Sequence, residues 1–186
     1  MLPPDSRGIA PEELRGLLDK QAISEVLYRY ARGWDRRDLA TILACFRDDA
    51  THQHGSFTGA SHELIRHWFD LTNTVKSMTH LISNILIELN GDVAVSESHF
   101  FAHHRRAANE HSGERDWFIK GRYLDRFERR AGAWQITHRT GLEDFERLVE
   151  PAEESHRTAP PEHRGRPLPT DPLYRMLEQL RTRPQR

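Results

Sequence analysis

The sequence predicts an α+β domain in which a curved, mostly antiparallel sheet wraps over three N-terminal helices to form a cone-shaped barrel. Apolar residues recur at three- and four-residue spacing up to residue 71, and after Lys76 they alternate with period two. Helices followed by strands are the element order of an α+β fold. A length of 186 residues suits one domain with a sizeable core. We expect a small ligand to bind in the cavity between the twisted sheet and the helices.

Three helices and a short strand are predicted first. A long amphipathic helix covers residues 12–34 and weakens near Gly33. Asp38 has the residue type and position of an N-cap for a second helix. The remaining predictions are the second helix over 39–46, a strand over 50–54, a turn over 55–59 and a third helix over 60–71.

A four-strand meander follows. Its segments are rich in Ile, Val, Phe, Tyr and Trp, as expected of strands. The hairpin turns are Asn90-Gly91-Asp92 and Ala131-Gly132. The predicted strands cover residues 79–89, 93–104, 117–129 and 133–141.

The chain divides into an arm at residues 1–11, a core domain at 12–145 and a Pro-rich extension at 146–186. Residues 143–186 contain seven of the ten prolines and few apolar residues, which is typical of a linker or a surface segment. Within the extension, Pro172 and the apolar spacing that follows it predict a short helix over 172–183 that docks on a neighbouring element.

Composition excludes several classes of protein. Lys and Arg number 27 against 28 Asp and Glu, so no strong field attracts the chain to nucleic acid or to an anionic membrane. Cys45 is the single cysteine, which favours a reducing compartment. The N-terminus lacks the apolar run of a signal peptide. We therefore expect a cytoplasmic protein whose partner is a small-molecule substrate, with no nucleic-acid or membrane partner.

The predicted strands carry large apolar residues on both faces, and one layer of helices can cover only one of them. We therefore expect a homo-oligomer, a dimer or trimer, assembled through the outer face of the sheet.

Two polar residues could carry chemistry in the cavity. Asp35 lies at the end of an apolar helix, where the helix dipole does not favour a carboxylate. His80 lies near the start of a strand. Taken singly, each is also compatible with a structural role, as are Tyr30 on the apolar stripe and Arg139 on the last strand.

A metal site is the main alternative chemistry. His52 and His54 form an H-x-H pattern that puts both rings on one face of a strand, and His99 and His103 also share a face. No Cys pair and no H-E-x-x-H motif accompanies them, so we predict polar pocket lining or strand edges, with no metal. The sequence also lacks the phosphate-binding Gly-rich loop and the nucleophile elbow, and no cofactor is predicted.

Several segments resemble one known family, the SnoaL-like branch of the nuclear transport factor 2-like superfamily. The resemblance covers about residues 12–145 and leaves the extension unexplained. The segments that carry it are Gly33-Trp34-Asp35-Arg36-Arg37-Asp38, Phe46-Arg47-Asp48-Asp49-Ala50, Thr79-His80-Leu81-Ile82-Ser83-Asn84, Tyr123-Leu124-Asp125-Arg126-Phe127-Glu128-Arg129-Arg130 and Gly132-Ala133-Trp134-Gln135-Ile136-Thr137-His138-Arg139.

The resemblance implies an Asp–His base. The branch that contains scytalone dehydratase, lindane dehydrochlorinase and bile-acid dehydratase uses such a pair, and Asp35 and His80 occupy its positions. The companion polar residues of the family fall on Tyr30, which would hold the leaving oxygen, and on Arg139, which would stabilise negative charge. Strict alternation places Arg139 on the face opposite Trp134 and Ile136 unless a bulge intervenes.

The resulting hypothesis is a cofactor-independent lyase or isomerase of the dehydratase type, acting on a small apolar cyclic substrate. The alternative is a non-catalytic module of the same fold that binds a small ligand or serves in assembly. A closed apolar cavity with a coupled pair favours the enzyme, and an open one with the pair apart favours the binder. The residues predicted to line the substrate pocket are Trp34, Trp68, Asn84 and Phe101.

Overall fold

The computed structural model of the protein describes residues 9–150, 160 and 165–182. In that part of the chain the helices are α1 (Pro11–Asp35), α2 (Leu39–Ala44), α3 (Ser61–Leu71) and α4 (Pro172–Thr182). The strands are β1 (Phe46–His54), β2 (Phe57–Ala60), β3 (Val75–Asn90), β4 (Val93–Arg106), β5 (Arg115–Arg130) and β6 (Ala133–Val149). A short 3₁₀ turn, Thr72–Thr74, connects α3 to β3.

The strands form one six-stranded sheet in the order β2-β1-β6-β5-β4-β3. Every neighbouring pair is antiparallel except β1 and β6, which run parallel. The order begins with β2 and ends with β3, so across the described residues the sheet does not close into a barrel. The predicted α+β class and the cone-type arrangement of a curved, mostly antiparallel sheet over the helices are confirmed, and the sheet is open.

The edge of the sheet near β1 differs from the prediction. β1 begins at Phe46, four residues before the predicted strand, and the second helix ends correspondingly earlier. Residues 57–59, predicted as part of a turn, and residue 60, predicted as the start of the third helix, form β2, which folds back on β1 around Gly55, whose φ is +57°. The pairing of β1 with β6 links residues almost ninety positions apart, so the local pattern carries no sign of it.

Bulges decide which side chains face the helices. In β3 the register shifts between Ser83 and Leu86, and Asn84 adopts a left-handed conformation with φ of 49°. In β6 the register shifts opposite Arg126 and Phe127. At each shift the side chains that face inward change from even-numbered to odd-numbered positions, or the reverse.

The core lies between α1–α3 and the concave face of the sheet. Side chains that are fully or almost fully buried there come from helices and strands alike: Ile23, Leu27, Ile42, Phe46, Ile65, Phe127 and Ile136. Asp38 caps α2 by accepting from the backbone nitrogen of Thr41 at 3.0 Å, which confirms its predicted role. Gly33 allows α1 to approach α2, because a Cβ there would lie 2.6 Å from Ile42.

The C-terminal segment packs against the turn between α1 and α2. The backbone nitrogen of Leu168 donates to the carbonyl of Arg36 at 2.6 Å, and Tyr174 donates to Asp38 at 3.2 Å. β6 continues to Val149, past residue 145, where the domain boundary was predicted.

Some of the predicted segments lie outside the described residues, namely 1–8 of the arm and 151–159, 161–164 and 183–186 of the extension. Within the described part, no helix is both long and apolar enough to cross a membrane.

Candidate active site

A cavity of about 490 Å³ lies between the helices and the concave face of the sheet. This volume is within the range of pockets that bind small organic molecules. Six Tyr, Trp and Phe side chains line it: Tyr30, Trp34, Trp68, Phe100, Trp117 and Tyr123. The polar lining includes His54, His80, His104, Arg106 and Glu143.

Asp35 and His80 form a hydrogen-bonded pair at this cavity. Oδ1 of Asp35 lies 2.7 Å from Nδ1 of His80, and the two side chains are 14% and 10% exposed. α1 brings Asp35 to the site at its last residue, and β3 brings His80. When the carboxylate is ionised it accepts the Nδ1 proton, so the neutral ring carries its lone pair on Nε2. The resemblance implied this pair, and the geometry brings its members together.

A second histidine faces that lone pair. Nε2 of His104 on β4 lies 3.3 Å from Nε2 of His80. Burial lowers the pKa of His104 to about 3, and its electrostatic interactions with His80, His103 and Arg106 act in the same direction. His104 is therefore neutral at neutral pH and can donate its Nε2 proton to His80.

Two tyrosines of the cavity lining pack on a buried guanidinium. The rings of Tyr30 and Tyr123 meet edge to face at 5.9 Å. Arg139 lies 4.2 Å from the centroid of Tyr30 and 3.9 Å from that of Tyr123. Burial raises the pKa of the Tyr123 hydroxyl well above its ordinary value, so this hydroxyl remains a proton donor.

Arg139 does not line the cavity itself. Its residue surface is 0% exposed, and its guanidinium makes a two-bond pair with Asp125 at 2.7 Å in each bond. The bulge in β6 places Arg139 on the same face as Trp134 and Ile136, so strict alternation does not hold along this strand. In this structure Arg139 lies behind Tyr30 and Tyr123 and has no surface open to the cavity.

The predicted pocket residues divide into two groups. Trp34 and Trp68 line the cavity. Phe101 does not, because β4 turns Phe100 and Ala102 inward and leaves Phe101 on the outer face beside Phe118, with ring centroids 6.1 Å apart.

Asn84 is the second correction. It is an exposed residue in the β3 bulge, outside the cavity lining. Its left-handed backbone is a conformation that asparagine adopts more readily than most residues. Its contribution is to the direction of the strand.

His54 forms another histidine–carboxylate contact at the cavity. Its Nε2 lies 3.2 Å from Oε1 of Glu143 on β6, and Gly141 leaves room for the ring, because a Cβ there would collide with it. Burial lowers the pKa of His54, and the Glu143 carboxylate opposes this change. His52 and His54 do share a face, with ring centroids 6.0 Å apart. Among the described residues, however, His, Cys, Asp and Glu form no group of three or more that could hold a metal ion.

Sequence reasoning missed His104, Trp117, Tyr123 and Glu143. The signal for His104 was present, since alternation places it on the face of Phe100 and Ala102. Glu143 lies beyond the strand end that was predicted at residue 141, so the pattern gave no reason to place it at the cavity.

The model of the SnoaL-like domain family matches residues 15–140. The chain belongs to this SnoaL-like family. No curated protein sequence matches it significantly. The match ends before the C-terminal segment, which this family model therefore does not describe.

Solved structures show the same SnoaL-like fold at low sequence identity. A protein assigned as a scytalone dehydratase from Novosphingobium aromaticivorans is 19% identical, with a TM-score of 0.64 over 73% of this chain and 91% of that one. A type 2 hexachlorocyclohexane dehydrochlorinase, LinA, is 20% identical, with a TM-score of 0.67 over 80% and 98%. The type 3 LinA from Novosphingobium barchaimii is 18% identical, with a TM-score of 0.66 over 80% and 99%.

Proposed function

We propose that this protein is a cofactor-independent lyase or isomerase in which His80, oriented by Asp35, removes a proton from a carbon atom of a small, largely apolar cyclic substrate. The observation that carries the proposal is the 2.7 Å contact between Asp35 and His80 at the wall of an aromatic cavity. Structural neighbours that bear the names of a dehydratase and a dehydrochlorinase support the reaction class.

The proton transfer follows from the geometry of the pair. When a substrate C–H bond replaces His104 at Nε2 of His80, that nitrogen takes the proton, and Asp35 stabilises the imidazolium through Nδ1. The electron pair of that bond forms a new double bond. In a lyase the leaving group departs with the electron pair of its bond to carbon, and an oxygen leaving group takes up the proton that the His80 imidazolium holds. In an isomerase the proton returns to a different carbon atom.

The tyrosines and Trp34 supply donors for oxygen atoms of the substrate. The Tyr123 hydroxyl stays protonated because burial raises its pKa, and the positive charge of Arg139 lies directly behind its ring. Nε1 of Trp34 is buried and has no hydrogen-bond partner among the described residues. A donor buried in this way is expected to gain an acceptor when an oxygen-bearing ligand binds.

The test uses 2-tetralone, a bicyclic ketone with acidic C–H bonds, as a probe of proton abstraction. We expect the protein to accelerate deuterium incorporation next to the carbonyl in D₂O, followed by proton NMR. The variants Asp35→Asn and His80→Gln should each reduce the protein-dependent rate by about 100-fold or more. A ligand-binding module of the same fold would bind the ketone without accelerating the exchange, and that result would refute the enzymatic proposal.

A matched control is available on the outer face of the sheet. His103 and Asp116 are also 2.7 Å apart, but neither lines the cavity. The variant His103→Gln should therefore keep the exchange rate within about twofold of the wild type. An equal loss in His103→Gln and His80→Gln would show that the effect does not come from the cavity.

A further inference from the structure

The C-terminal segment lies against the residues that directly follow Asp35. We use the name C-terminal clasp for residues 165–174. Within it, the backbone nitrogen of Leu168 donates to the carbonyl of Arg36 at 2.6 Å, and Asp171 lies 3.2 Å from Nε of Arg36. Tyr174 donates to Asp38 at 3.2 Å. The clasp thus contacts the first and last residues of the turn that joins α1 to α2.

Asp171 is built into this contact. It is 6% exposed, and its carboxylate accepts from the backbone nitrogens of Arg166 at 2.9 Å and Leu173 at 3.0 Å. Burial acts to raise the pKa of this carboxyl, but the two backbone donors and Arg36 hold it below its ordinary value. The Asp171 carboxylate that faces Arg36 is therefore ionised at neutral pH, and the first turn of α4 fixes its orientation.

The turn after Asp35 needs such support for three reasons. Carbonyl groups at the C-terminal end of a helix lack partners within the helix, and Leu168 supplies one for Arg36. Arg37 has a φ of 53°, in a region that costs energy for a residue with a side chain. The negative end of the helix dipole also disfavours the carboxylate of Asp35 at this place. Contacts from outside the helix are needed to keep that carboxylate in one position.

We propose that the C-terminal clasp positions Asp35 for its hydrogen bond with His80, and that Arg36 and Asp171 are positioning residues for the reaction proposed above. The proposal rests on that function, since it concerns the same base. It assigns a role to a segment that lies beyond the family match at residues 15–140. The clasp acts on Asp35 through the residues that follow it in the chain. Leu168 and Asp171 contact Arg36, and Tyr174 contacts Asp38.

The experiment follows the Nδ1 proton of His80 by NMR in the full chain labelled with ¹⁵N-histidine. The variant His80→Gln assigns its resonance. In the wild type we expect a resolved low-field signal that exchanges slowly with water because Asp35 accepts this proton. In Asp171→Asn we expect exchange to be at least about tenfold faster. Tyr174→Phe removes only a hydroxyl, leaves the fold intact and should produce a smaller change in the same direction.

Two further readouts separate positioning from general stability. In Asp171→Asn, kcat for 2-tetralone exchange should fall about tenfold with KM within about twofold of the wild type. Amide exchange in the sheet should stay unchanged. Asp70 on α3 provides the matched control, since Asp70→Asn makes the same chemical change at an exposed residue and should alter none of these quantities.

Three results would overturn the proposal. One is a His80 signal in Asp171→Asn that exchanges as slowly as in the wild type. Another is faster amide exchange throughout the sheet of that variant, which would indicate a structural role alone. The third is the absence of the signal in the wild type. The signal is measured without substrate, so a failure of the clasp is distinguishable from a failure of the protein to exchange 2-tetralone.

Discussion

Replacing Asp125 with asparagine should strongly destabilise the protein. Asp125 and Arg139 are 1% and 0% exposed, and two hydrogen bonds of 2.7 Å join them. Burial acts to lower the pKa of the Arg139 guanidinium, but the Asp125 carboxylate raises it above its ordinary value. The variant keeps the shape of the side chain and removes its charge. A guanidinium is then left in the core without a counterion.

The expected cost follows from that uncompensated charge. Removing one partner of a buried ion pair costs about 3–5 kcal/mol. For a chain of this length about 1 kcal/mol shifts the melting temperature by roughly 2–4 °C, so the variant should melt about 6–20 °C below the wild type. The rings of Tyr30 and Tyr123 lie 4.2 and 3.9 Å from the guanidinium and compensate part of the lost attraction.

The assay is urea denaturation followed by tryptophan fluorescence and by circular dichroism. The double variant Asp125→Leu with Arg139→Met removes both charges and should recover most of the lost stability. The exposed pair of Asp49 and Arg130 provides the control, and Asp49→Asn should change the midpoint little. A loss below about 1 kcal/mol in Asp125→Asn, or a double variant no more stable than the single one, would refute the reasoning.

Two other predictions concern stability. Burial lowers the pKa of His52 to about 2 and of His104 to about 3, from an ordinary value of about 6.5. Only the unfolded chain takes up these protons, so the free energy of unfolding has its full value above about pH 6.5. It should fall below that pH by about 1.4 kcal/mol per pH unit for each histidine, as measured by urea denaturation at several pH values. Gly121→Ala should lower the melting temperature, with a cost of about 1–3 kcal/mol, because the added Cβ collides with the backbone carbonyl of Leu142 and lies 2.8 Å from the ring of Phe100.

Each of these predictions has a control. His52→Leu should remove about half of the pH slope, and a free energy of unfolding that stays level between about pH 6.5 and 5 would contradict the expected loss of stability on acidification. Gly113→Ala places a Cβ 4.0 Å from the nearest heavy atom, so its melting temperature should match the wild type. If Gly121→Ala melts at the wild-type temperature, the strands can move apart at this position without loss of stability, and the prediction is wrong.

The types of the elements could be predicted from the sequence, because helix and strand periodicities are local properties. The Asp38 cap is confirmed, and the predicted hairpin turns at 90–92 and 131–132 contain Gly91 and Gly132 in the left-handed conformation that such turns require. The resemblance of the segments around Asp35 and His80 to the SnoaL-like family also indicated which two residues to place together. Their contact joins positions 45 residues apart, and only the folded chain could show it.

Which side chains face the cavity depends on the packing of the folded chain. A bulge depends on the register of the partner strand. The sequence of β3 therefore does not show that Asn84 leaves the inward face, and the sequence of β6 does not show that Arg139 lies on that face. The parallel pairing of β1 with β6 and the burial of Arg139 against Asp125 likewise depend on residues distant in the chain. The sequence restricts each strand to two alternating faces, and the packing of the strands selects one of them.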